Sequence, residues 1–460
     1  MESRCKMLHT LRFAKYGLLM LDLLAFLVSY QLGHLLRRGF FYESFVMPGT
    51  PWFLPFLAGV FLVMDVYNPW SHYSRMGLAT RMLPALLILT IVLSLVAFLV
   101  FGHELQAYVG RSVLYFALGF FGIYAVSSRF VFARVFDQAK MQSRWLILTE
   151  KRFLEPIDKE VRRRFPMWEV VFMVRDSPQP VRGPAGEQVL PMKSALPRAL
   201  ESQWDGVIIA TEALSGDQME LLLSRRMGGL RIFDLVSFYE RYFLKVPLYV
   251  VAHSHFMISR GFFVLSNPIG LRLKTVMDYT IAAFLLIGSV PFMLMIAAAL
   301  FIDSGRPILF RQERTGISGQ TFSVFKFRTM IPGADKQSPY TQEGDSRVTR
   351  FGRILRLSRL DELPQLINIL MGQMSLIGPR AEWTKLTQQY ERQIPFYNLR
   401  HLVRPGLTGW AQVMYPYGAN IDDTVHKLEY DLYYIKNYTA LLDINILLKT
   451  VRVVLFGGGR

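Results

Sequence analysis

The sequence predicts a membrane α-helical bundle, then an α/β middle domain, then a mainly α C-terminal domain that carries one further long apolar helix. Three observations carry that prediction. Hydrophobic residues make up 52% of the 460, and in the first third they collect into long uncharged runs, as in integral membrane proteins. Across residues 140–255, short strand-like runs alternate with helix-like stretches, the pattern of a parallel sheet with crossover helices. From residue 256, one more long apolar run gives way to a polar, strongly basic half. Domains are therefore expected at 1–139, 140–255 and 256–460.

Four apolar runs fill the first domain: Gly17 to Leu36, Trp52 to Tyr67, Met82 to Phe101 and Ser112 to Ser128. The third holds no charge over about 20 residues, enough to cross the hydrocarbon core as a helix. Asp22 and Asp65 interrupt the first two. Carboxylates at that depth are costly, so both are expected to face other helices or the interface in a structural role. Arg4, Lys6, Arg12 and Lys15 precede the first run as they would a signal peptide, but no clean small-residue cleavage site follows, so the run is expected to be retained. Basic residues crowd the N-terminus, the second connection (Arg75, Arg81) and the segment after the fourth run (Arg129, Arg134, Lys140, Arg144). Arg37 and Arg38 oppose the trend, yet the balance places both ends of the bundle in the cytoplasm.

In the middle domain, Trp145 to Leu148, Val170 to Val174, Gly206 to Ala210 and Leu230 to Phe233 read as short buried strands. The next segment, Tyr279 to Ile302, is a 24-residue uncharged run with Pro291 near its middle. Arg272 and Lys274 precede it; Arg306, Arg311 and Arg314 follow it. Basic flanks on both sides keep both ends on the cytoplasmic face, and Pro291 removes a hydrogen bond and favours a bend. An ordinary fifth span with a proline kink is the competing reading.

ILFRQERTGISGQTFSVFKFRTM then reads as a hairpin. Strand alternation puts Lys326 and Arg328 on one face, where two cations can meet one anion, or where they form a basic edge that discourages aggregation. Beyond it, Arg347, Arg350, Arg353, Arg356 and Arg359 recur at every third position. In an α-helix such a row spirals, so two or three of them can face one ligand.

Asp361 and Glu362 stand just before Pro364, which is tolerated in a first helical turn; a helix from about Asp361 to Met371 puts Asp361 at its N-terminus. Beside guanidinium groups a carboxylate stays ionised, which suits a nucleophile or metal ligand, although a plain helix cap has the same signature. Arg380 follows Gly378-Pro379, a turn able to hold a guanidinium for phosphate contact. Arg404 precedes a Pro-Gly turn. Trp410 is placed to stack on a base, to sit at a membrane interface or to pack in the core. Glu429 and Asp431, in LEYDLYYIKNYT, suit a metal or sugar site, or an amphipathic packing helix. Leu441 to Phe456 reads as an interfacial amphipathic helix. The eight histidines lack metal-ligand spacing, and the single cysteine, Cys5, excludes intramolecular disulfides and thiolate clusters.

LDELPQLINILMGQMSLIGPR, with KFRTM at Lys326 to Met330 and RPGLTGWAQV at Arg404 to Val413, resembles the bacterial sugar transferases, the monotopic polyprenyl-phosphate phosphoglycosyl transferases. The resemblance covers about residues 272 to 455. With the domains before it, the chain is similar to the long members that start O-antigen, capsule or exopolysaccharide assembly. It implies transfer of a hexose-1-phosphate from a UDP-sugar to polyprenyl (undecaprenyl) phosphate, with release of UMP, at the cytoplasmic face of the bacterial inner membrane. Asp361 is then the nucleophile, forming an aspartyl phosphosugar, and Glu362 with Asp361 holds Mg2+. Lys326, Arg328, Arg356, Arg380 and Arg404 bind phosphate groups.

The resemblance also implies a re-entrant membrane helix over about 276–302, broken at Ser289 and Pro291. Val290 stands where the family has serine, and Ala381 where it usually has a proline after Gly-Pro-Arg. The middle domain resembles a Rossmann-like module, but Thr149, Glu150, Lys151 and Arg152 replace its Gly-rich phosphate turn. A regulatory, structural or oligomerising role follows rather than dinucleotide binding. The net charge of +17 is assigned to phosphorylated substrates and anionic membrane lipids, not nucleic acid, and a homodimer is expected. A non-enzymatic membrane scaffold or regulator of polysaccharide assembly is the alternative, and no segment specifies which sugar or which polysaccharide pathway.

Overall fold

The computed structural model describes residues 2–46, 49–64, 66–67, 75–100, 111–140, 143–166, 168–175, 181–183, 188–211, 214–250, 262, 267–331, 333, 345–415 and 420–456. Backbone contacts divide the chain into two units: residues 1–143 with 165–169, and residues 144–164 with 170–460.

The first unit is helical: α1 (Glu2–Arg38), α2 (Thr50–Val63), α3 (Arg75–Val100) and α4 (Arg111–Lys140). Its core is aromatic, with Phe121 set 5.6 Å from Phe26 and 5.7 Å from Phe61. Helices α1 and α4 approach closely at Gly33, where a Cβ would stand 2.7 Å from the carbonyl oxygen of Val113. On α3, Ala85, Leu89 and Leu93 are buried while Leu87, Ile91, Leu95 and Phe98 are exposed. Large apolar side chains facing outward along a whole helix are stable against lipid, not water.

Tyr16–Arg38, Met82–Leu99 and Ser112–Val131 are long and apolar enough to cross a membrane, as is Pro268–Ser304 in the second unit. The second expected span differs: α2 has 14 residues, about 21 Å of helix against a hydrocarbon core of about 30 Å. Asp65 lies outside the described residues. Asp22 is fully buried and meets Arg129 of α4 through two hydrogen bonds, 2.6 Å and 2.5 Å, while Tyr67 Oη donates to it at 2.9 Å. This is the structural role expected of a carboxylate at that depth.

The second unit opens on a six-stranded sheet ordered β3-β4-β2-β1-β5-β6. The strands are β1 (Arg144–Thr149), β2 (Glu169–Val174), β3 (Val181–Arg182), β4 (Gln188–Pro191), β5 (Gly206–Ala210) and β6 (Ile232–Asp234). Pairs β1–β5, β5–β6 and β2–β4 are parallel, with Leu146 opposite Val207, and β3 pairs antiparallel with β4. Strands β1, β2 and β5 coincide with sequence-predicted strands and β6 overlaps the fourth at Ile232 and Phe233; β3 and β4, of two and four residues, were too short to announce themselves. Helices α5 (Lys151–Arg164), α6 (Met192–Ala199), α7 (Gly216–Met227) and α8 (Leu235–Tyr242) complete the layer. Where a Gly-rich turn would leave space after β1, the Glu150 carboxylate accepts from Thr211 Oγ1 at 3.3 Å and pairs with Arg152 at 2.9 Å.

Helix α9 (Pro268–Ser304) runs continuously for 37 residues through Pro291, so the interruption expected at Ser289 and Pro291 is not seen. Asn267 caps it by accepting from Gly270 N at 2.9 Å, and Ser289 Oγ donates to the carbonyl of Leu286 at 3.1 Å. Its burial is confined to Asp278 and Ala282 at one end and Ile296 and Leu300 at the other. The predicted hairpin follows as β7 (Leu309–Thr315) and β8 (Thr321–Phe327), paired antiparallel with Leu309 opposite Phe327.

Next come α10 (Arg350–Leu357), a 3-10 turn at Leu360–Glu362 and α11 (Gln365–Leu370). The single helix expected from Asp361 to Met371 is thus a 3-10 turn followed by a six-residue helix. Arg359 enters the turn with φ 59°, and Pro364 offers no N–H to continue a regular ladder. Strands β9 (Ser375–Ile377) and β10 (Gly406–Thr408) pair in parallel, and α12 (Thr384–Gln393), α13 (Trp410–Met414), α14 (Ile421–Lys436) and α15 (Ala440–Phe456) close the domain. Trp410 is a core residue whose Nε1 donates to the carbonyl of Leu244 at 2.9 Å. Helix α14 is the packing helix, burying Leu428, Leu432 and Ile435 together with the carboxylates of Glu429 and Asp431.

His401, 8% exposed, packs in this core with its Nε2 4.0 Å from Glu391. Burial, then the neighbouring Arg400 charge, pulls its pKa down from 6.5 to about 4. The unfolded chain therefore binds a proton between pH 6.5 and 4 that the folded chain refuses, so this group's contribution to stability is lost as pH falls through that window. At pH 5 the loss is about 2 kcal/mol. His401→Gln is expected to shrink the drop in melting temperature between pH 7.5 and pH 5 by several degrees. An unchanged drop would show that His401 protonates in the fold.

Candidate active site

The site is assembled on the hairpin, the 3-10 turn and the Gly378–Arg380 turn. Asn368, fully buried on α11, joins the first two: its Oδ1 accepts from Phe325 N at 3.0 Å, and its Nδ2 donates to Ser323 O at 2.7 Å and to Gln373 Oε1 at 2.8 Å. That stitch sets Lys326 against Glu362. Helix α10 lies against the KFRTM strand end because residue 352 lacks a side chain: a Cβ there would stand 2.2 Å from Thr329 O. Arg356 reaches back from α10 and donates through Nε to Thr329 Oγ1 at 2.8 Å.

Arg380 is placed by a crossing of two bare backbones. A Cβ on Gly406 would lie 2.1 Å from Gly378 N, and one on Gly409 would lie 2.1 Å from Gly378 O. Those contacts are with main chain, which cannot rotate away, so glycine is required there. Gly378 N donates to Thr408 O at 2.9 Å and Gly406 N donates to Pro379 O at 2.8 Å, continuing the β9–β10 pairing into the turn. Ala381 does not leave the following loop loose. Arg314 Nη1 donates to Ala381 O at 3.0 Å, and Thr315 N donates to Glu382 O at 3.0 Å.

Glu362 Oε1 accepts from Lys326 Nζ at 2.7 Å and from Arg380 Nη2 at 2.9 Å. Arg380 Nη1 meets Gln412 Oε1 at 3.4 Å. Asp361 and Glu362 are both buried. Burial alone would raise Glu362, but Lys326 and Arg380 outweigh it and hold its carboxyl well below the usual carboxylate range. Asp361 goes the other way: burial, then the Glu362 charge beside it, raises its pKa, while Lys326, Arg356 and Arg380 oppose the rise. Burial lowers Lys326, with Glu362 resisting. The carboxylate expected to be held ionised by the guanidinium groups is Asp361; the one the cations lower is Glu362, because its oxygen is in direct contact with them, while burial raises Asp361.

Lys326 and Arg380 both bond Glu362 Oε1, so the hard oxygens offered to a small divalent cation such as Mg2+, which completes its shell with water and phosphate oxygens, are those of Asp361 and Glu362 Oε2. Among the described residues, the one group of three metal-ligand side chains lies elsewhere: Glu160, His426 and Glu429, with ligand atoms within 4.8 Å of one another. There Lys245 Nζ already bonds both Glu160 and Glu429, the latter at 2.7 Å, so a lysine supplies the positive charge.

The structure thus gathers Asp361, Glu362, Lys326 and Arg380, with Arg356 at the edge. Arg328 leaves this group: its guanidinium donates to Ser304 O, to Ser304 Oγ at 3.0 Å and to Gly305 O at 2.8 Å, where α9 ends. The strand ends at Phe327, so alternation no longer holds Arg328 beside Lys326. Arg404 Nη1 meets Thr275 Oγ1 on α9 at 3.4 Å. Arg347 is engaged by Asp345 at 2.6 Å, and Arg350 and Arg353 are exposed. Sequence reasoning missed Arg314, Asn368 and Gln412 as site residues. None belongs to a charge pair or spacing visible along the chain; each acts across 32 to 67 residues.

Residues 269–457 match the family model described as bacterial sugar transferase. The chain is 39% identical over 250 residues to the UDP-N-acetylgalactosamine-undecaprenyl-phosphate N-acetylgalactosaminephosphotransferase of Aeromonas hydrophila, across 51% of this chain and 59% of that protein. It is 42% identical over 186 residues to the UDP-glucose:undecaprenyl-phosphate glucose-1-phosphate transferase of Xanthomonas campestris pv. campestris, across 39% of this chain and 38% of that one. The matched part therefore spans less than two thirds of either relative. An uncharacterized sugar transferase of Bacillus subtilis, 39% identical over 191 residues, is matched over 89% of its own length. With most of that protein's length aligned onto the half of the chain that holds the Asp361–Glu362 site, the chain belongs to the bacterial sugar transferase family.

Proposed function

We propose that this chain transfers a hexose-1-phosphate from a UDP-sugar to polyprenyl (undecaprenyl) phosphate, releasing UMP, at the cytoplasmic face of the bacterial inner membrane. The observation that carries the reading is the buried Asp361–Glu362 pair set against Lys326 and Arg380. The printed names of the Aeromonas and Xanthomonas relatives, both undecaprenyl-phosphate sugar phosphotransferases, support it.

In this reading an Asp361 carboxylate oxygen attacks the sugar-bearing phosphorus. The new O–P bond forms as the bond from that phosphorus to the bridging oxygen breaks, and its electron pair leaves with UMP. A phosphate oxygen of the lipid acceptor then attacks the same phosphorus, breaking the aspartyl O–P bond and regenerating the carboxylate. Dividing one displacement into two lets a soluble donor and a membrane acceptor use the site in turn. Lys326 and Arg380 orient Glu362 and meet phosphate charge, and Arg356 adds a third cation. Asp361 and Glu362 would hold Mg2+, whose charge would neutralise the donor diphosphate.

Helix α9 is read as re-entrant, with both ends at one face, through a bend at Pro291 and not through an interruption of the helix. Support comes from its packing: Ala282 joins the cluster containing Leu366 and Ile369, while Ile296 and Leu300 join Phe327 and Leu355, all in the same C-terminal domain. The middle domain is read as a degenerate Rossmann-like module without a nucleotide, since Glu150 fills the place of the phosphate turn.

The test is UMP release by purified protein in nanodiscs, across a panel of UDP-sugars. One donor is expected to give a stoichiometric burst without acceptor, continuous turnover with polyprenyl phosphate, and neither after chelation of divalent cations. Salt-dependent membrane adsorption with no UMP release from any donor would instead identify a scaffold.

A further inference from the structure

We propose that Arg400 is the positioning residue for Arg380, acting through the main-chain carbonyl of Arg380. The inference rests on the reading of Arg380 as a phosphate-binding cation. Arg400 is 5% exposed, a depth at which a charge is stable only when it is paired. Its Nη2 donates to Arg380 O at 3.1 Å and to Asp431 Oδ2 at 2.8 Å, and its Nη1 donates to Tyr397 Oη at 2.7 Å. The guanidinium carbon also stands 5.1 Å from the Tyr397 ring centroid. One planar cation thus ties three parts of the domain together: the 3-10 segment Tyr397–Leu402, helix α14 through Asp431, and the residue whose side chain bonds Glu362.

Carbonyl and side chain of Arg380 share one Cα. Any shift of the carbonyl is therefore passed to the guanidinium that holds Glu362 Oε1 at 2.9 Å. The opposite anchor is firm, because α14 is itself held by Glu429 with Lys245 at 2.7 Å and by Lys436 with Glu240 at 2.5 Å. Burial, opposed by Arg400, pushes the Asp431 carboxyl up to about 6, the behaviour of an acid placed for its partner and not for solvent. An arginine is required here for geometric reasons. Its rigid fork spans a carbonyl, a carboxylate and a phenol at once, whereas lysine has a single nitrogen on a flexible stem.

The test is a double-mutant cycle on the full chain in nanodiscs, read as kcat/KM for UMP release with melting temperature alongside. Arg400→Lys is expected to lower kcat/KM about 10- to 100-fold in folded protein, the scale of a roughly 1 Å misplacement of a substrate-positioning group. Arg380→Lys should be at least as damaging. The double variant should be no slower than Arg380→Lys alone, because two residues acting as one unit are not additive. Multiplied losses, or wild-type kcat/KM in Arg400→Lys, would overturn the assignment.

If Arg400→Lys does not fold, Asp431→Asn serves in its place. It keeps the shape and an acceptor but removes the counter-charge, and the same non-additivity with Arg380→Lys is expected; unaltered kcat/KM in Asp431→Asn would overturn the proposal. A wild-type chain that releases no UMP overturns the reaction itself, whereas an active wild type with multiplicative losses overturns only the Arg400 assignment.

Discussion

Asp361→Asn is expected to reduce turnover at least about a thousandfold, equivalent to about 4 kcal/mol of transition-state stabilisation, and to abolish the covalent sugar-phosphate adduct. The side chain keeps its volume, so the pocket is preserved while the nucleophilic oxygen is replaced by an amide. Folding should not suffer. Burial and the Glu362 charge already disfavour ionised Asp361, so a neutral side chain relieves a repulsion and the melting temperature should hold or rise. The decisive measurement is intact-protein mass after exposure to the active UDP-sugar with acceptor withheld. Wild type should gain one sugar-phosphate and the variant none. An adduct on the variant, or turnover within tenfold of wild type, would remove Asp361 from the nucleophile role.

Asp22→Ala is expected to destabilise the N-terminal helical unit by about 3–5 kcal/mol, the range for leaving one member of a buried ion pair uncompensated. Arg129 is 1% exposed and holds Asp22 through both terminal nitrogens. Its guanidinium carbon lies 5.7 Å from the Phe61 ring centroid and 5.4 Å from that of Tyr67. Without the carboxylate, the cation would remain among aromatic rings with no counter-charge. Asp22→Ala/Arg129→Met, which removes both charges, should be more stable than Asp22→Ala alone. Thermal unfolding in detergent reads the difference. A single variant that melts within about 1 °C of wild type, or a double variant worse than the single, would show that the pair contributes little.

The two carboxylate sites illustrate how sequence and tertiary structure divide the work. At Asp22, the rule that charge inside an apolar run must find a partner anticipated a buried structural role, yet the partner is Arg129, 107 residues away. At Asp361 and Glu362, adjacency to arginines marked the pair. Only the fold decided which carboxylate the cations lower. Lys326 and Arg328 made the opposite point, since a two-residue spacing held them together only while the strand lasted, and β8 ends between them at Phe327.

What the chain determined by itself is periodic or local. Apolar runs gave the membrane helices, short apolar runs gave four strands of the parallel sheet, and a Gly-Ile-Ser-Gly turn gave the hairpin. These follow from nearest-neighbour geometry, in which a helix or strand repeats its faces every few residues. The tertiary structure alone decided the length of α2, the 3-10 turn under Asp361, the glycine crossing that places Arg380, and the cation assigned to each acid. Those depend on atoms brought within about 3 Å of each other by packing, and no spacing along the sequence encodes that distance.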